Sequence, residues 1–228
     1  MRGFPDYSPR AKGDAGVAIV EAVFVFPIVL AIVFAIMEYG LLFAAQSTTA
    51  SSTRDAVRYG SANYAVSGSN LAAANAISDV VKKDLGARTS LDTPIRLVIY
   101  KVDTTRTDGG PTGGFTSCTQ SCFRYSWNST NSTWTYDNTS PGWSNPSACI
   151  TQSGGSAGIN SLDSIGAYLE VTHSYITRAF GNSIIVKEHT NSRLEPLPLS
   201  QCLENDVELA TRRTAQDQQE DPRRYRRA

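Results

Sequence analysis

The hydrophobicity pattern of the chain is dominated by one apolar run from Val17 to about Phe43. The run is uniformly apolar rather than one-faced, and the part up to Met37 would extend about 31 Å as a helix, enough to cross the hydrocarbon core of a bilayer. We therefore predict a membrane-spanning helix over residues 17–45. Basic residues precede the run and few follow it before Arg54, which favours a cytoplasmic N-terminus. A secretory signal peptide is the alternative, but its apolar region would be shorter.

A soluble extension of this helix and a second helix are predicted next. The region up to Tyr59 contains no strong helix breaker, so we expect the first helix to continue into water and to stop at Gly60. Asn70 can cap a second helix over Leu71–Leu85, with Gly86 after its end. Apolar residues recur along one face of that helix, at Leu71, Ala74, Ile77, Val81 and Leu85.

Segments rich in β-branched and aromatic residues follow Pro94 and predict an antiparallel sheet. Loops rich in Gly, Ser and Thr separate them. The predicted strands are Ile95–Val102, Phe123–Trp127, Thr133–Tyr136, Ala167–Ile176 and Ser183–His189. The expected fold class is α+β: a long N-terminal transmembrane helix that continues into a soluble helix, then a small antiparallel sheet with a second amphipathic helix.

Changes in composition divide the chain into four parts. Residues 1–16 form a short polar leader, and residues 17–45 form the membrane helix. Residues 46–198 form an exterior α+β domain with prolines near its end. Residues 199–228 carry many charges and few apolar side chains, so we expect a disordered tail.

Net charge bears on the kind of partner, and the cysteines bear on disulfide bonding in the exterior domain. The formal net charge is zero, which indicates no nucleic-acid partner. The four cysteines, Cys118, Cys122, Cys149 and Cys202, all follow the apolar run, and their even number fits two disulfides in an oxidising compartment. Zinc held by four thiolates is the competing interpretation, although no C-x2-C pair or nearby histidine supports it. The spacing leaves the pairing open; we favour Cys118–Cys122 and Cys149–Cys202.

The sequence contains no motif that would indicate an enzyme. His173 and His189 are the only histidines, and His173 falls on an apolar strand face, where a core histidine is expected. No nucleophile elbow, zinc-protease helix or phosphate-binding glycine loop occurs. We therefore predict no catalytic residues, no metal and no cofactor. The three tryptophans, Trp127, Trp134 and Trp143, are expected to pack the sheet rather than to form a sugar-binding platform.

Glu21 places a carboxylate inside the apolar run, at a cost on the order of 2.5–3.5 kcal/mol on insertion scales. Gly16 ends the polar leader, and Glu21 is the fifth residue counted from Val17. This arrangement resembles the class III signal of type IV prepilins. In that family a membrane aspartyl protease cuts after the glycine, and a carboxylate at position five of the mature chain is a hallmark. Glu38, near the end of the span, is explained by solvation at the membrane interface.

Cleavage after Gly16 would create an ammonium group at Val17, where the helix enters the membrane. In a filament, Glu21 of a neighbouring subunit can meet that amine, and two paired buried charges cost less than either charge alone. The pair would also set the axial register between subunits. The resemblance thus implies processing at Gly16 and Val17 and an assembly role for Glu21. The alternative is a span that begins near Ala22 and leaves the carboxylate at the interface.

A narrower resemblance covers Ala18–Ser61, which is similar to the TadE-like family of the tight-adherence (Tad, or Flp) pilus machinery. The similar pieces are Val20–Glu21, Pro27, Ile36–Gly40 and Ala56–Gly60, with Arg193–Pro196 similar in outline to the end of the family pattern. The chain departs from the major pilins of this system, which carry a tyrosine where Ala22 stands and lack a large cysteine-containing domain. These departures favour a minor pseudopilin.

The resemblance implies a structural role in the assembly or priming of a Tad-type pilus. The implied partners are a prepilin peptidase, other Tad pilins and pseudopilins, the assembly platform and membrane lipid. The implied location is the bacterial cytoplasmic membrane, crossed once, with the N-terminus cytoplasmic and the C-terminal domain exterior, and with incorporation into the pilus as a further expectation. The alternative is an uncleaved single-pass surface protein whose exterior domain binds a ligand such as a cell-wall glycan.

Overall fold

The computed structural model describes residues 14–65, 70–86, 91–144, 146–150, 162–178 and 181–198, with only the helical backbone for residues 14–18. The elements are α1 (Asp14–Asn63), α2 (Asn70–Leu85), β1 (Asp92–Lys101), β2 (Cys122–Asn128), β3 (Thr133–Tyr136), β4 (Ser164–Ser174) and β5 (Ser183–Arg193). The predicted α+β class is confirmed, with a long apolar helix, a second helix and a five-stranded antiparallel sheet. Most of the predicted leader and the whole predicted tail lie outside the described residues.

Helix α1 is one continuous helix of 50 residues, about 75 Å long at 1.5 Å per residue. It passes through Pro27 without ending. The predicted stop at Gly60 is wrong, because the helix continues to Asn63 and Tyr64 N donates to Gly60 O at 2.9 Å. Gly60 serves close packing instead: a Cβ there would lie 2.8 Å from Cδ1 of Ile165 on β4.

The five strands form one sheet in the order β3-β2-β1-β4-β5, and each neighbouring pair is antiparallel. Strand β4 is buried along most of its length and pairs with β5 from Ser164↔Arg193 to Ser174↔Ser183. The register of β1 against β4 shifts after Pro94, where the proline nitrogen cannot donate to the ladder. Because β5 is last in the strand order, it is an edge strand, and β4 is the one strand that pairs with it.

Alternation along the strands gives the sheet two covered faces. One face packs against both helices, and its core includes Ile77, Val81, Leu97, Ile99, Leu169 and Val171. The opposite face carries a smaller cluster formed by Val98, Tyr100, Cys118, Cys122 and Tyr168. The domain thus has its main core between helices and sheet. Helix α2 contributes the predicted apolar face through Ala74, Ile77, Val81 and Leu85, whereas the predicted Leu71 is exposed.

The C-terminal half of α1 lies along β4 and β5 through small polar side chains. Thr49, Ser52 and Thr53 are buried, and Thr49 Oγ1 donates to Ala45 O at 2.7 Å inside the helix. Thr53 Oγ1 is 3.1 Å from Thr190 Oγ1 on β5. Because these hydroxyls find partners in the helix or across the interface, short polar side chains can be buried without a desolvation penalty.

The segment after β5 returns to the end of α1. Glu195 N donates to Ser61 O and Leu197 N donates to Ala148 O, both at 2.9 Å. Nearby, Tyr64 stacks on Trp143 with ring centroids 4.5 Å apart, and its hydroxyl donates to the Trp143 carbonyl at 2.9 Å. These contacts hold the last described segment against the C-terminal end of α1.

The packing of the sheet face that points away from the helices should depend on Gly166. Gly166 is the cross-strand partner of Tyr100, and a Cβ at Gly166 would overlap the buried Tyr100 ring. We expect Gly166→Ala to lower the free energy of unfolding by about 1–3 kcal/mol, because the ring would have to move in a packed core. The measurement is thermal unfolding of the full chain in detergent micelles, followed by near-ultraviolet circular dichroism.

Gly40→Ala is the matched control, because apart from its chain neighbours and the backbone of its own helix no atom lies within 4 Å of a Cβ at this position. It should be neutral or stabilising by up to about 1 kcal/mol through helix propensity. An equal loss of stability in both variants, or no loss in Gly166→Ala, would contradict this account of the Tyr100 packing.

Candidate functional site

The N-terminal half of α1 exposes apolar side chains on all sides. From Ile19 to Met37 the side chains are exposed, apart from the partly buried Ala35. Phe24 is 70% exposed and Ile36 is 67% exposed. Soluble proteins rarely leave a contiguous apolar surface of this kind uncovered, and this helix is long and apolar enough to cross a membrane. This surface is therefore expected to be covered by lipid or by other apolar helices.

Glu21 lies near the start of this exposed surface. Its side chain is exposed and makes no hydrogen bond or ion pair with any residue that the structure describes. Gly16 and Val17 belong to the helical backbone of the same element, and Val17 precedes Glu21 by about 6 Å along the axis. Within these residues the carboxylate has no compensating charge. The processing role of Gly16 and Val17 and the assembly role of Glu21 stay predictions.

Glu38 marks the point where α1 changes from exposed to packed. Its side chain is 2% exposed, and its Oε1 accepts hydrogen bonds from Thr177 N at 2.5 Å and from Thr177 Oγ1 at 2.9 Å. Thr177 lies in the turn between β4 and β5, so these two bonds, which we call the Glu38–Thr177 clasp, tie that turn to the helix. The interpretation of Glu38 as a solvated interfacial residue is wrong, because the domain covers the side chain.

A buried histidine lies next to the clasp. His173 Nδ1 is 2.7 Å from Asp92 Oδ1, and the ring of Tyr175 contacts His173 edge-on with centroids 5.7 Å apart. The predicted burial of His173 is confirmed. His173 Nε2 and Glu38 Oε2 are buried and lack hydrogen-bond partners in the described part of the chain. Asp92, His173, Glu38 and Thr177 thus form a polar group where helix and sheet meet.

Sequence reasoning missed this junction, although Glu38 carried a usable signal. It is the second carboxylate of the apolar run, and the same burial cost that singled out Glu21 applies to it. Its partner could not be found in this way, because Thr177 is 139 positions away and one threonine in a loop has no distinguishing pattern.

Cys118 and Cys122 lie on the sheet face that points away from the helices. Cys118 and Cys122 form a disulfide with their Cα atoms 6.5 Å apart, which confirms that pairing and excludes a site made of four thiolates. Cys149 is also disulfide-bonded. Its predicted partner, Cys202, lies outside the described residues, so the Cys149–Cys202 pairing stays a prediction. Among the described residues no group of His, Cys, Asp or Glu is arranged to hold a metal ion.

Aromatic side chains close the same face. Phe115 stacks on Tyr168 with centroids 4.8 Å apart and contacts His189 at 4.7 Å. Tyr168 Oη donates to Glu170 Oε1 at 2.5 Å, and burial, followed by this hydrogen bond, raises the pKa of Tyr168. The face is therefore a packed layer and not an open ligand groove.

The tryptophans pack as predicted. Trp127 and Trp134 meet edge-on across β2 and β3 with centroids 4.9 Å apart, and Trp143 is buried against Tyr64.

A shallow groove of about 320 Å³ lies between α1 and β5 and is lined by Ser51, Arg54, Asp55, Val57, Arg58, Thr190, Asn191 and Ser192. Arg54 and Arg58, the two arginines of this groove, are exposed.

The clasp should contribute measurably to stability. Glu38→Ala removes the acceptor and leaves Thr177 N–H without its bond, so we expect the free energy of unfolding to fall by about 2–3 kcal/mol. Thr177→Val removes only the hydroxyl bond and should cost about 1 kcal/mol. Both are measured by thermal unfolding of the full chain in detergent micelles. Glu195→Ala, at an exposed glutamate, is the control and should stay within about 0.5 kcal/mol; a Glu38→Ala variant as stable as this control would refute the role of the clasp.

The comparison with known proteins gives one family match, and it lies within helix α1. Residues 16–58 match the model of the family described as TadE-like protein. The match covers Gly16, Val17 and Glu21, the exposed half of α1, and most of the half that packs on the sheet. No curated protein and no solved structure matches the chain. The resemblance predicted from the sequence is therefore confirmed over the N-terminal helix, and the chain is consistent with a TadE-like protein.

Proposed function

We propose that this protein is a minor pseudopilin that takes part in the assembly of a Tad-type pilus. The TadE-like match and the exposed apolar half of α1 fit a membrane-anchored, pilus-associated protein. The observation that carries the proposal is Glu21, an exposed carboxylate without a partner among the described residues, placed four residues after Val17 on that apolar surface. A carboxylate in this place needs a positive charge from another source.

Processing would supply that charge. A prepilin peptidase that cuts between Gly16 and Val17 leaves an ammonium group at the start of the mature helix. The basic residues before the run favour a cytoplasmic N-terminus, so the cut would take place at the cytoplasmic face and the domain would lie outside the membrane. The protein would then be a single-pass component of the bacterial cytoplasmic membrane until assembly.

Assembly would pair the two charges between subunits. At an effective dielectric constant of about 20, two unit charges 4 Å apart attract with roughly 4 kcal/mol, and an axial offset between helices would leave both charges unpaired in apolar surroundings. The pair therefore favours one register. The exposed side chains from Ile19 to Met37 would pack against neighbouring helices, which replace the lipid when a subunit leaves the membrane.

The proposed partners follow from this sequence of events. They are the prepilin peptidase, other Tad pilins and pseudopilins, the assembly platform and membrane lipid. The proposed role is structural and requires no chemistry within the domain. The described residues agree with a structural role in that the sheet face away from the helices is closed by aromatic packing and a disulfide.

The mature N-terminus tests the processing step. We expect protein recovered from membranes of cells that contain a prepilin peptidase to begin at Val17, and protein from cells that lack the enzyme to retain Met1. N-terminal sequencing and intact-mass measurement distinguish the two. Met1 retained in both strains would favour the uncleaved surface protein, and a start near Gln46 would indicate a signal peptide.

The charge pair is tested by Glu21→Ala. This variant should still be cleaved, because the change lies beyond the cut site, but most of its pilus output should be lost because the register pair is absent. The measurement is quantification of surface pili by electron microscopy and shear-fraction immunoblotting. Val23→Ala, at an exposed position of the same surface, is the matched control and should retain output. Normal piliation by Glu21→Ala would remove the pairing mechanism.

A further inference from the structure

We propose that the hairpin formed by β4 and β5 is a second membrane contact of this protein. Three exposed side chains at its turn end, Ile176, Ile184 and Ile185, would lie in the interfacial layer of the bilayer that α1 crosses. We call these three the hairpin isoleucines. The inference rests on α1 as a membrane span and is independent of pilus assembly.

The hairpin isoleucines are unusually exposed for their size. Ile176 is 56% exposed, Ile184 is 41% exposed and Ile185 is 51% exposed. One exposed aliphatic residue is ordinary on a protein surface. Three at one end of one hairpin form a local apolar surface that has an apolar partner as its natural cover.

The exposed positions of β5 change character along the strand. At its start they are Ile184 and Ile185, whereas beyond the buried Val186 the exposed residues are Lys187, His189, Asn191 and Arg193. The polar side chains in the later part of the strand are well solvated by water, whereas exposure of the two isoleucines at its start is unfavourable. A change from apolar to polar along the direction of α1 is the pattern expected for an element that passes from membrane interface to water.

The clasp places the hairpin turn at the end of the apolar span. Glu38 lies about 28 Å along α1 from Ile19, close to the thickness of the hydrocarbon core. Both hydrogen bonds to Glu38 come from Thr177, so Thr177 and the adjacent Ile176 lie at the same height as Glu38. The exposed apolar surface of α1 continues past Glu38 to Phe43, which is 72% exposed. A bilayer that covers this surface therefore reaches the level of the turn.

A second contact confirms the direction of the hairpin. Thr53 of α1 contacts Thr190 of β5, about 22 Å above Glu38 by the rise of the helix. From Ser183 to Thr190 the strand rises about 23 Å. The two lengths agree, so β5 runs alongside α1 in the same direction and begins at the membrane end of the domain.

The apolar residues surround the hairpin end instead of occupying one side. Ile184 pairs with His173 and shares the helix side of the sheet with it, and Ile185 pairs with Thr172 on the opposite side. The exposed Arg178 follows Thr177 and adds a cation where lipid phosphates would lie. Apolar side chains on both sides with a nearby arginine suit shallow insertion among lipid headgroups better than docking of one partner surface.

Spin labels on the full chain in phosphatidylcholine–phosphatidylglycerol vesicles test this contact. Ile176→Cys and Ile185→Cys report on the hairpin end. Asn191→Cys reports on the upper part of the same strand, and Val29→Cys reports on the span. Collision with oxygen, which concentrates in lipid, is compared with collision with a water-soluble nickel complex, and the chain without an introduced cysteine gives the labelling background.

We expect the oxygen-to-nickel ratio at residues 176 and 185 to be several-fold higher than at Asn191 and lower than at Val29. A ratio at 176 and 185 equal to that at Asn191, with Val29 in lipid, would overturn the proposal while leaving the span intact. Water-like ratios at all four positions would overturn the span as well. Labels at 176 and 185 shielded from both reagents, to an extent that falls as lipid is added, would indicate contact with a second copy and would also overturn it.

Discussion

The hydrogen bonds from Thr177 to Glu38 join the two environments in which this protein has to be stable. Below Glu38, α1 presents apolar side chains in every direction and depends on lipid or neighbouring helices. Above it, one side of the same helix packs on its own sheet, while side chains such as Tyr39 and Phe43 stay exposed on the other side. One carboxylate at the boundary makes both bonds to a single threonine, so the height of the domain above the exposed helix is set by a contact rather than by a flexible linker.

The two glutamates of α1 show two solutions to the same physical problem. A carboxylate in or beside an apolar run needs a hydrogen-bond donor, a positive charge or water. For Glu38 the domain of the same chain supplies donors. For Glu21 the described residues supply none, and in the proposed mechanism a second subunit supplies the charge. The first solution stabilises the fold, whereas the second would be available only on assembly.

The described elements were largely predictable because their patterns are local. The second helix has one apolar face, and the strands follow β-branched and aromatic runs between loops. The prediction failed at Gly60, where a glycine read as a helix end is required by the close approach of Ile165 and Ile77 from other elements. It failed at Glu38 for the same reason, because the group that covers it comes from a remote turn. Glycine and carboxylate have local meanings that distant packing can override.

By itself, the sequence determined the apolar span, the position of Glu21 within it, the α+β composition and the TadE-like character of the first helix, because each depends on the order of neighbouring residues. Only the tertiary structure decided which half of α1 is covered by protein, which turn meets Glu38, how β5 aligns with the helix, and that Cys118 pairs with Cys122. These features depend on contacts between residues far apart in the chain or on a choice among equivalent partners. Such contacts follow from how whole elements pack, and no short stretch of sequence encodes them.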